Sequence, residues 1–221
     1  MLNTVIFDMD GLLIDSEPHW QQAGMEVLAY YGATITLEQY YSSTGLRTRE
    51  WLEYWFDHFN ISNNHTTEAI RSIEDKAIEN IQQEGIAFPG TRYVLDFFKE
   101  RNYTIGLATS SPLRLVDVVI KKLGIGDYFD AYSSAEFLPL GKPHPQVYMN
   151  CAIELGVSPL HCLCFEDSFN GVIAAKAARM LCVAVPAPAQ FDELRWGAAD
   201  LKLATLMDVT EASIRQLTMD N

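Results

Sequence analysis

The sequence lacks a long run of apolar residues and is poor in positive charge. No uninterrupted apolar stretch approaches the roughly 20 residues that a membrane-spanning helix needs. The first residues also lack the basic and then apolar order of a signal peptide, so we expect a cytoplasmic protein. Sixteen lysines and arginines stand against 29 aspartates and glutamates, which gives a net charge of −13. This acidic balance disfavours nucleic acid or anionic lipid as a partner, because a basic surface dominates such binding.

Cysteine is also scarce, and no two cysteines form a Cys-x-x-Cys pair. The four cysteines are Cys151, Cys162, Cys164 and Cys182. We interpret them as small buried thiols, with a zinc site or a disulfide as the less favoured alternatives. No repeat, low-complexity tract or long linker divides the 221 residues, whose 48% hydrophobic content is enough for a full core. Oligomeric state leaves no sequence signal, and a monomer is the default expectation.

Strand and helix patterns divide the chain into two kinds of region. Residues 19–84 contain no convincing strand, and apolar spacing predicts helices over 19–31, 49–59 and 67–83. From Pro89 onward, strands and helices alternate. The predicted elements there are helix 91–101, strand 103–108, helix 113–123, strand 131–134, helix 145–155, strand 162–165, helix 171–178 and strand 182–185.

Such alternation predicts a parallel sheet with helices on both faces, and the strand at residues 5–7 must belong to the same sheet. The economical arrangement is an α/β protein with a Rossmann-like core. We predict that residues 1–16 and 86–221 form this core. An all-helical cap, residues 17–85, is then inserted after the first strand.

The first strand ends on two carboxylates, Asp8 and Asp10, followed by Gly11. Side chains of an extended segment alternate, so the two carboxylates should leave on the same side. Two anions held so close repel, and a hard cation such as Mg²⁺ would offset that cost. Alternatively, Asp10 bears a proton, because paired carboxylates push their pKa values apart. An Asp-rich turn without function also fits this segment alone.

Three downstream segments carry groups that suit phosphate or a metal. Thr109 and Ser110 open a hydroxyl-rich turn at a helix start, which suits an anion but is also common helix capping. Lys142 lies in a Gly-Lys-Pro-His-Pro segment whose prolines stiffen its backbone. Glu166 and Asp167 follow a second apolar strand, as a Mg²⁺ site fed from two strands requires. A helix N-cap is the alternative for Asp167.

The segment from Asp8 to Pro18 reads Asp-Met-Asp-Gly-Leu-Leu-Ile-Asp-Ser-Glu-Pro. It resembles the first motif of the haloacid dehalogenase-like superfamily. The resemblance is to the sugar-phosphate phosphatase and β-phosphoglucomutase-like branch, which includes hexitol and 2-deoxyglucose-6-phosphate phosphatases. The three downstream segments match the remaining motifs in family order, so the resemblance covers nearly the whole chain.

The resemblance implies a Mg²⁺-dependent phosphomonoester hydrolase. Its substrates would be small phosphorylated sugars or sugar alcohols, and it would pass through an aspartyl-phosphate. Asp8 would be the nucleophile and Asp10 the acid and base. The resemblance assigns the metal to Asp8, Asp10, Asp167 and Glu166, with Glu166 bound directly or through water. It assigns the phosphate to Met9, Thr109, Ser110 and Lys142.

Two further features concern specificity. Thr44-Gly45-Leu46-Arg47 resembles the cap's specificity loop, which makes Arg47 a candidate substrate contact, with a surface salt bridge as the alternative. The β-phosphoglucomutases carry a His where this chain has Trp20. A sugar phosphate mutase is therefore the second hypothesis, and a phosphate-binding module without turnover is the third.

Overall fold

The computed structural model describes residues 2–43 and 46–219, and these residues form a six-stranded parallel sheet. Its strands are β1 (Thr4–Phe7), β2 (Thr104–Thr109), β3 (Ala131–Ser134), β4 (Cys162–Glu166), β5 (Leu181–Ala184) and β6 (Leu201–Lys202). Their spatial order is β3-β2-β1-β4-β5-β6. The first strand is therefore central, and the strand order reverses beside it, which is where open α/β sheets bind ligands.

The helices fall into two groups. Four follow β1, namely α1 (Glu17–Tyr30), α2 (Leu37–Tyr41), α3 (Thr48–His58) and α4 (Thr66–Glu84). The others alternate with the strands, namely α5 (Thr91–Lys99), α6 (Leu113–Leu123), α7 (Gln146–Glu154), α8 (Phe169–Ala177) and α9 (Glu211–Met219). The predicted α/β fold with its parallel sheet is confirmed. No sequence pattern had predicted α2, β6 or α9.

Both faces of the sheet are covered. Val5 and Phe7 belong to a buried cluster with residues of α5 and α6, whereas Ile6 belongs to a second cluster with residues of α7 and α8. Phe7 stacks on Phe165 of β4, with the ring centroids 5.1 Å apart. A strand buried on both faces reads as a continuous apolar run. Each such side chain contributes about 1.5–3 kcal/mol through burial.

The chain leaves the sheet after β1 and returns before α5 at adjacent points. The amide of Asp15 donates to the carbonyl of Ile86 at 2.9 Å, and the amide of Phe88 donates to the carbonyl of Leu13 at 3.1 Å. Between these crossings, α1 and α3 both pack on α4. We propose that residues 17–85 form a cap on a core of residues 1–16 and 86–221, joined by this pair of connections.

The four cysteines are buried and none is in a disulfide, which confirms their interpretation as buried thiols. Across the residues that the structure describes, no helix has both the length and the apolar character that crossing a membrane requires.

Candidate active site

The site lies where β1, β2 and β4 end side by side. Phe7 is in register with Leu107 of β2 and Phe165 of β4, and the amide of Asp8 donates to the carbonyl of Phe165 at 3.0 Å. The residues that follow these three strands therefore meet at one edge of the sheet. The apolar parts of the strands fix this alignment, since both faces are buried.

Lys142 lies at the centre of the site and is only 2% exposed. Its Nζ donates to Asp8 Oδ1 at 2.5 Å, to Glu166 Oε1 at 2.6 Å and to the carbonyl of Ala108 at 3.0 Å. Burial lowers the pKa of Lys142, but the charges of Asp8 and Glu166 outweigh it and hold that pKa above its ordinary value. The ammonium is thus a permanent positive charge with all three donors directed.

Glu166 is fully buried, and both of its oxygens accept hydrogen bonds. Oε1 accepts from Lys142 and from the hydroxyl of Tyr148, while Oε2 accepts from the amide and hydroxyl of Ser168 at 3.3 and 3.1 Å. A Cβ at Gly171 would overlap this carboxylate, so only glycine fits beneath it. The geometry indicates that Glu166 anchors Lys142 and the turn after β4.

Asp8, Glu166 and Asp167 can each direct one oxygen so that the three atoms lie within 4.8 Å of one another. Burial is the main cause that raises the pKa of Asp8 to about 8, and it also raises the pKa of Asp167 well above its ordinary value. Three carboxylates face one ammonium, so ionising all of them leaves excess negative charge. A set of oxygen ligands with excess negative charge fits Mg²⁺. Asp8 and Asp167 are best placed to hold it, because both oxygens of Glu166 already accept hydrogen bonds.

Asp10 accepts four hydrogen bonds from residues that the structure describes. Ser16 Oγ and Trp20 Nε1 donate to Oδ1 at 2.7 and 3.1 Å. Ser111 Oγ and Thr109 Oγ1 donate to Oδ2 at 2.7 and 3.3 Å. The structure therefore does not bring the Asp10 side chain into the carboxylate cluster that was predicted to bind metal. Metal ligation and proton transfer by Asp10 both stay predictions.

Of the other predicted phosphate contacts, Thr109 and Ser110 line the cavity, whereas the Met9 side chain is buried in the core. Thr109 and Ser110 line the cavity above Asp8, together with Ser111 at the start of the turn before α6. The Met9 side chain is fully buried, and its carbonyl accepts from the amide of Leu13 at 2.9 Å. Met9 thus shapes the turn after β1 with its side chain in the core, and any phosphate contact would have to come from its backbone.

The helices after β1 provide the roof of the same cavity. The residues from this part of the chain that line it are Glu17, Trp20, Gly24, Tyr40, Ser43, Leu46, Thr48, Trp51 and Ile73. Glu17 is the acidic group among them, and the hydroxyl of Tyr40 donates to its Oε2 at 3.5 Å. Burial, followed by the charge of Asp10, raises the pKa of Glu17 to about 7. Sequence reasoning did not assign a role to Glu17, although the residue lies within the first motif.

Arg47 is not brought to the other predicted site residues. Its guanidinium donates to backbone carbonyls of the segment 135–139 and to Glu50, and it does not line the cavity. Arg47 is 8% exposed, so it is not a surface salt bridge either. Thr44 and Gly45 of the predicted specificity loop lie outside the described residues.

Comparisons with known proteins agree with this geometry. A family model described as haloacid dehalogenase-like hydrolase matches residues 2–179. Hexitol phosphatase B of Escherichia coli (strain K12) is 42% identical over 206 residues, which are 93% of each chain. A phosphorylated carbohydrates phosphatase of Thermotoga maritima is 33% identical over 80% of this chain and 82% of its own. The crystal structure of β-phosphoglucomutase from Clostridium difficile has a TM-score of 0.88 at 24% identity, covering 100% of this chain and 98% of that one, and shares the fold.

The carboxylate cluster predicts that Mg²⁺ stabilises the protein. At a concentration a hundred times its dissociation constant, Mg²⁺ should raise the melting temperature by about 5–10 °C, and EDTA should reverse the shift. Asp167→Asn should abolish most of the shift because the amide cannot supply an anionic ligand. Asp192→Asn, which removes an exposed carboxylate, is the matched control and should keep it. Calorimetry with and without Mg²⁺ measures the effect, and an unshifted melt of the unaltered protein would contradict the metal assignment.

The environment of Glu17 predicts a pH dependence of stability. Its folded pKa of about 7 exceeds the ordinary value of 4.5, so the folded protein holds this proton more tightly than the unfolded chain. The resulting stability is fully present below pH 4.5 and is lost as the pH rises through 7. In Glu17→Gln, the free energy of unfolding should therefore fall less between pH 5 and pH 8, by about 1–3 kcal/mol. Urea unfolding at several pH values tests this, with Glu38→Gln as an exposed control. If the free energy of unfolding changes equally with pH in the unaltered protein, Glu17→Gln and Glu38→Gln, then Glu17 does not titrate in this range.

Proposed function

The chain belongs to the haloacid dehalogenase-like hydrolases and is an enzyme of their phosphatase type, and from that membership we propose its substrate and mechanism. We propose that it hydrolyses monophosphate esters of small sugars or sugar alcohols through an aspartyl-phosphate on Asp8. One observation carries the proposal: a buried carboxylate fixed by an ammonium, with a second carboxylate beside it, forms the floor of the cavity.

Asp8 is the nucleophile in this mechanism. Lys142 holds Oδ1, which leaves the other oxygen of Asp8 for attack on phosphorus. The new bond from Asp8 to phosphorus forms as the bond from phosphorus to the sugar oxygen breaks. When bound, Mg²⁺ would supply the positive charge that keeps Asp8 and Asp167 ionised and neutralises the phosphoryl oxygens. Lys142 places its positive charge beside the same group, and Thr109 lines the cavity there.

Asp10 transfers the proton. In the first step it donates to the departing sugar oxygen, and in the second step it accepts a proton from the water that hydrolyses the aspartyl-phosphate. The donors around Asp10 hold its carboxyl group at the edge of the cavity, where both steps take place. To act as an acid, Asp10 must exchange some of these bonds for the leaving oxygen. Its partners are three hydroxyls and one indole N–H, so the exchange leaves no buried cation unpaired.

The roof of the cavity suits a neutral sugar or polyol. Glu17, Tyr40 and Ser43 present a carboxylate and two hydroxyls, which can bind the hydroxyl groups of a substrate. Trp20 and Trp51 add aromatic surface against which C–H groups pack. A second phosphate or carboxylate on the substrate would meet the carboxyl group of Glu17 and no cationic side chain among the described residues of this roof. Monophosphates of neutral sugars or sugar alcohols are therefore favoured over bisphosphates.

Trp20 also separates hydrolysis from mutase chemistry. The indole N–H donates to Asp10 and has no acceptor capacity, so it cannot carry a proton between groups as a His can. A mutase must also rebind a sugar bisphosphate, which the acidic roof disfavours. The likeness to a β-phosphoglucomutase concerns the fold alone.

Phosphate release from a panel of sugar and sugar-alcohol monophosphates tests the proposed function. With Mg²⁺ present, we expect release from several hexose and hexitol phosphates and little release from bisphosphates. β-Glucose 1-phosphate is included, and conversion to glucose 6-phosphate is measured separately. Isomerisation without net release would establish the mutase, and binding without either reaction would establish the non-catalytic module.

Two substitutions test the division of roles between the carboxylates. Asp8→Asn should reduce turnover by about 10³-fold or more for every substrate, because the amide is a poor nucleophile. Asp10→Asn should reduce sugar-phosphate turnover by about 10²–10⁴-fold. With p-nitrophenyl phosphate, whose leaving group needs no proton, Asp10→Asn should still release about one equivalent of nitrophenol in a burst and then stall. Rapid-quench kinetics detect this burst. A steady rate without a burst would argue against the acid and base role of Asp10.

A further inference from the structure

In the described part of the chain, two clusters of charged side chains join the helices after β1 to the core. At one, Arg114 of α6 pairs with Glu74 and Asp75 of α4, and the Arg114 side chain is 43% exposed. At the other, Arg47 and Glu50 contact the segment 135–141, and the Arg47 side chain is 9% exposed. We call this second contact the clasp. The two sites differ in burial and in what they touch, since the segment held by the clasp runs directly into Lys142.

Arg47 provides one half of the clasp. Nη1 donates to the carbonyl of Ala135 at 3.0 Å and to that of Leu138, and Nη2 donates to the carbonyl of Pro139 at 3.1 Å. Nη2 also contacts Glu50 Oε1 at 2.7 Å. A planar guanidinium can satisfy several carbonyls at once, which an ammonium cannot do with the same geometry. These bonds tie the start of α3 to three backbone positions of a loop 88 to 92 residues away in sequence.

Glu50 and Gly141 provide the other half. Glu50 Oε1 accepts from the amide of Gly141 at 3.0 Å. A Cβ on residue 141 would lie 2.7 Å from Glu50 Oε2 and 2.8 Å from Arg47 Cγ, so glycine is needed for this close approach. Burial raises the pKa of Glu50, but the bonds from Arg47 and Gly141 outweigh it and hold that pKa below its ordinary value. The carboxylate is thus charged where it meets the loop.

Lys142 follows Gly141 without an intervening residue. One end of this dipeptide is held by the clasp, and the other end places its ammonium against Asp8 and Glu166. We propose that Arg47 and Glu50 are positioning residues, which hold the segment that carries Lys142 and thereby set its ammonium in the active site. The proposal rests on the proposed phosphatase mechanism, in which Lys142 binds the phosphoryl group.

Positioning and substrate contact make opposite predictions for Arg47. A residue that touches the sugar acts on the leaving group, so its loss harms sugar phosphates and spares p-nitrophenyl phosphate. A residue that positions Lys142 acts on the phosphoryl group, which both substrates share. Its loss should lower kcat/KM for both by the same factor, which we expect to be about ten- to a hundredfold.

The first experiment compares Arg47→Ala and Arg47→Lys with Arg114→Ala, which removes the exposed ion pairs and serves as the matched control. Kinetics are measured with p-nitrophenyl phosphate and with the best sugar phosphate of the panel. Arg47→Lys keeps the positive charge but lacks the planar guanidinium, so it should lose part of the activity. It replaces Arg47→Ala if that variant does not fold. Arg114→Ala should keep both activities.

Two readouts do not depend on turnover. Hydrogen exchange over residues 135–142 should speed up in Arg47→Ala and stay unchanged in Arg114→Ala. The affinity for inorganic phosphate with Mg²⁺, measured by calorimetry, should weaken about tenfold or more in Arg47→Ala, because the ammonium is no longer held in place. If the unaltered protein hydrolyses nothing on the panel, the proposed function fails, and these two measurements still decide the clasp.

Gly141 gives a test by epistasis. Gly141→Ala should displace both side chains of the clasp and lower activity as Arg47→Ala does. In the double variant Arg47→Ala, Glu50→Ala, the atoms that a new Cβ would strike are gone. Adding Gly141→Ala to that background should therefore cost nothing further. The proposal is overturned by selective loss of sugar-phosphate activity in Arg47→Ala, by unchanged exchange over residues 135–142, or by an additive effect of Gly141→Ala in the double variant.

Discussion

A buried ammonium between two buried carboxylates is the interaction on which this site depends. Lys142 joins Asp8 at the end of β1 to Glu166 at the end of β4, and it also reaches the carbonyl of Ala108 near the end of β2. Removing one partner of such a buried pair costs about 3–5 kcal/mol, because the other charge is left uncompensated. The surrounding architecture supports it: Tyr148 binds Glu166 from α7, and the lack of a side chain at Gly171 makes room for that carboxylate. The three strands are thus joined by charge at their carboxyl ends as well as by backbone pairing.

This arrangement explains how a protein with a net charge of −13 can attract an anionic substrate. The surface gives no electrostatic help, so the positive charge must be local. Lys142 offsets the charge of one of the three neighbouring carboxylates. Burial, together with the charges of the other carboxylates, raises the pKa of Asp8 and Asp167. Without a metal, the shortage of positive charge disfavours the ionised carboxylates. The same shortage favours the binding of a divalent cation. In the proposed mechanism, binding a cation would therefore also favour the ionised form of Asp8 that attacks phosphorus.

The sequence predicted the floor of the site better than its roof. Asp8, Glu166 and Thr109 could be found because apolar strands ending in polar residues must meet at one edge of a parallel sheet. Lys142 was found through its resemblance to a family motif. The helix α2 was missed because it is little more than one turn and depends on a capping box between Thr36 and Gln39. The surroundings of Asp10, the exposure of Glu17 to the cavity and the placement of Arg47 depend on how the inserted helices dock. Sequence patterns do not indicate how helices dock. Arg47 was therefore expected at the substrate, whereas its guanidinium contacts a loop of the core.

The inserted helices do more than cover the cavity. Trp20 of α1 donates to one oxygen of Asp10, and Arg47 and Glu50 at the start of α3 hold the segment that leads into Lys142. Asp10 and Lys142, to which the proposed mechanism assigns proton transfer and phosphate binding, are therefore fixed in part by residues of the helices between β1 and α5. A change in how these helices sit on the sheet would alter the partners of Asp10 and the support of Lys142 at the same time. Closure over a substrate can then complete the catalytic geometry as well as exclude water, which couples recognition of the sugar to transfer of its phosphoryl group.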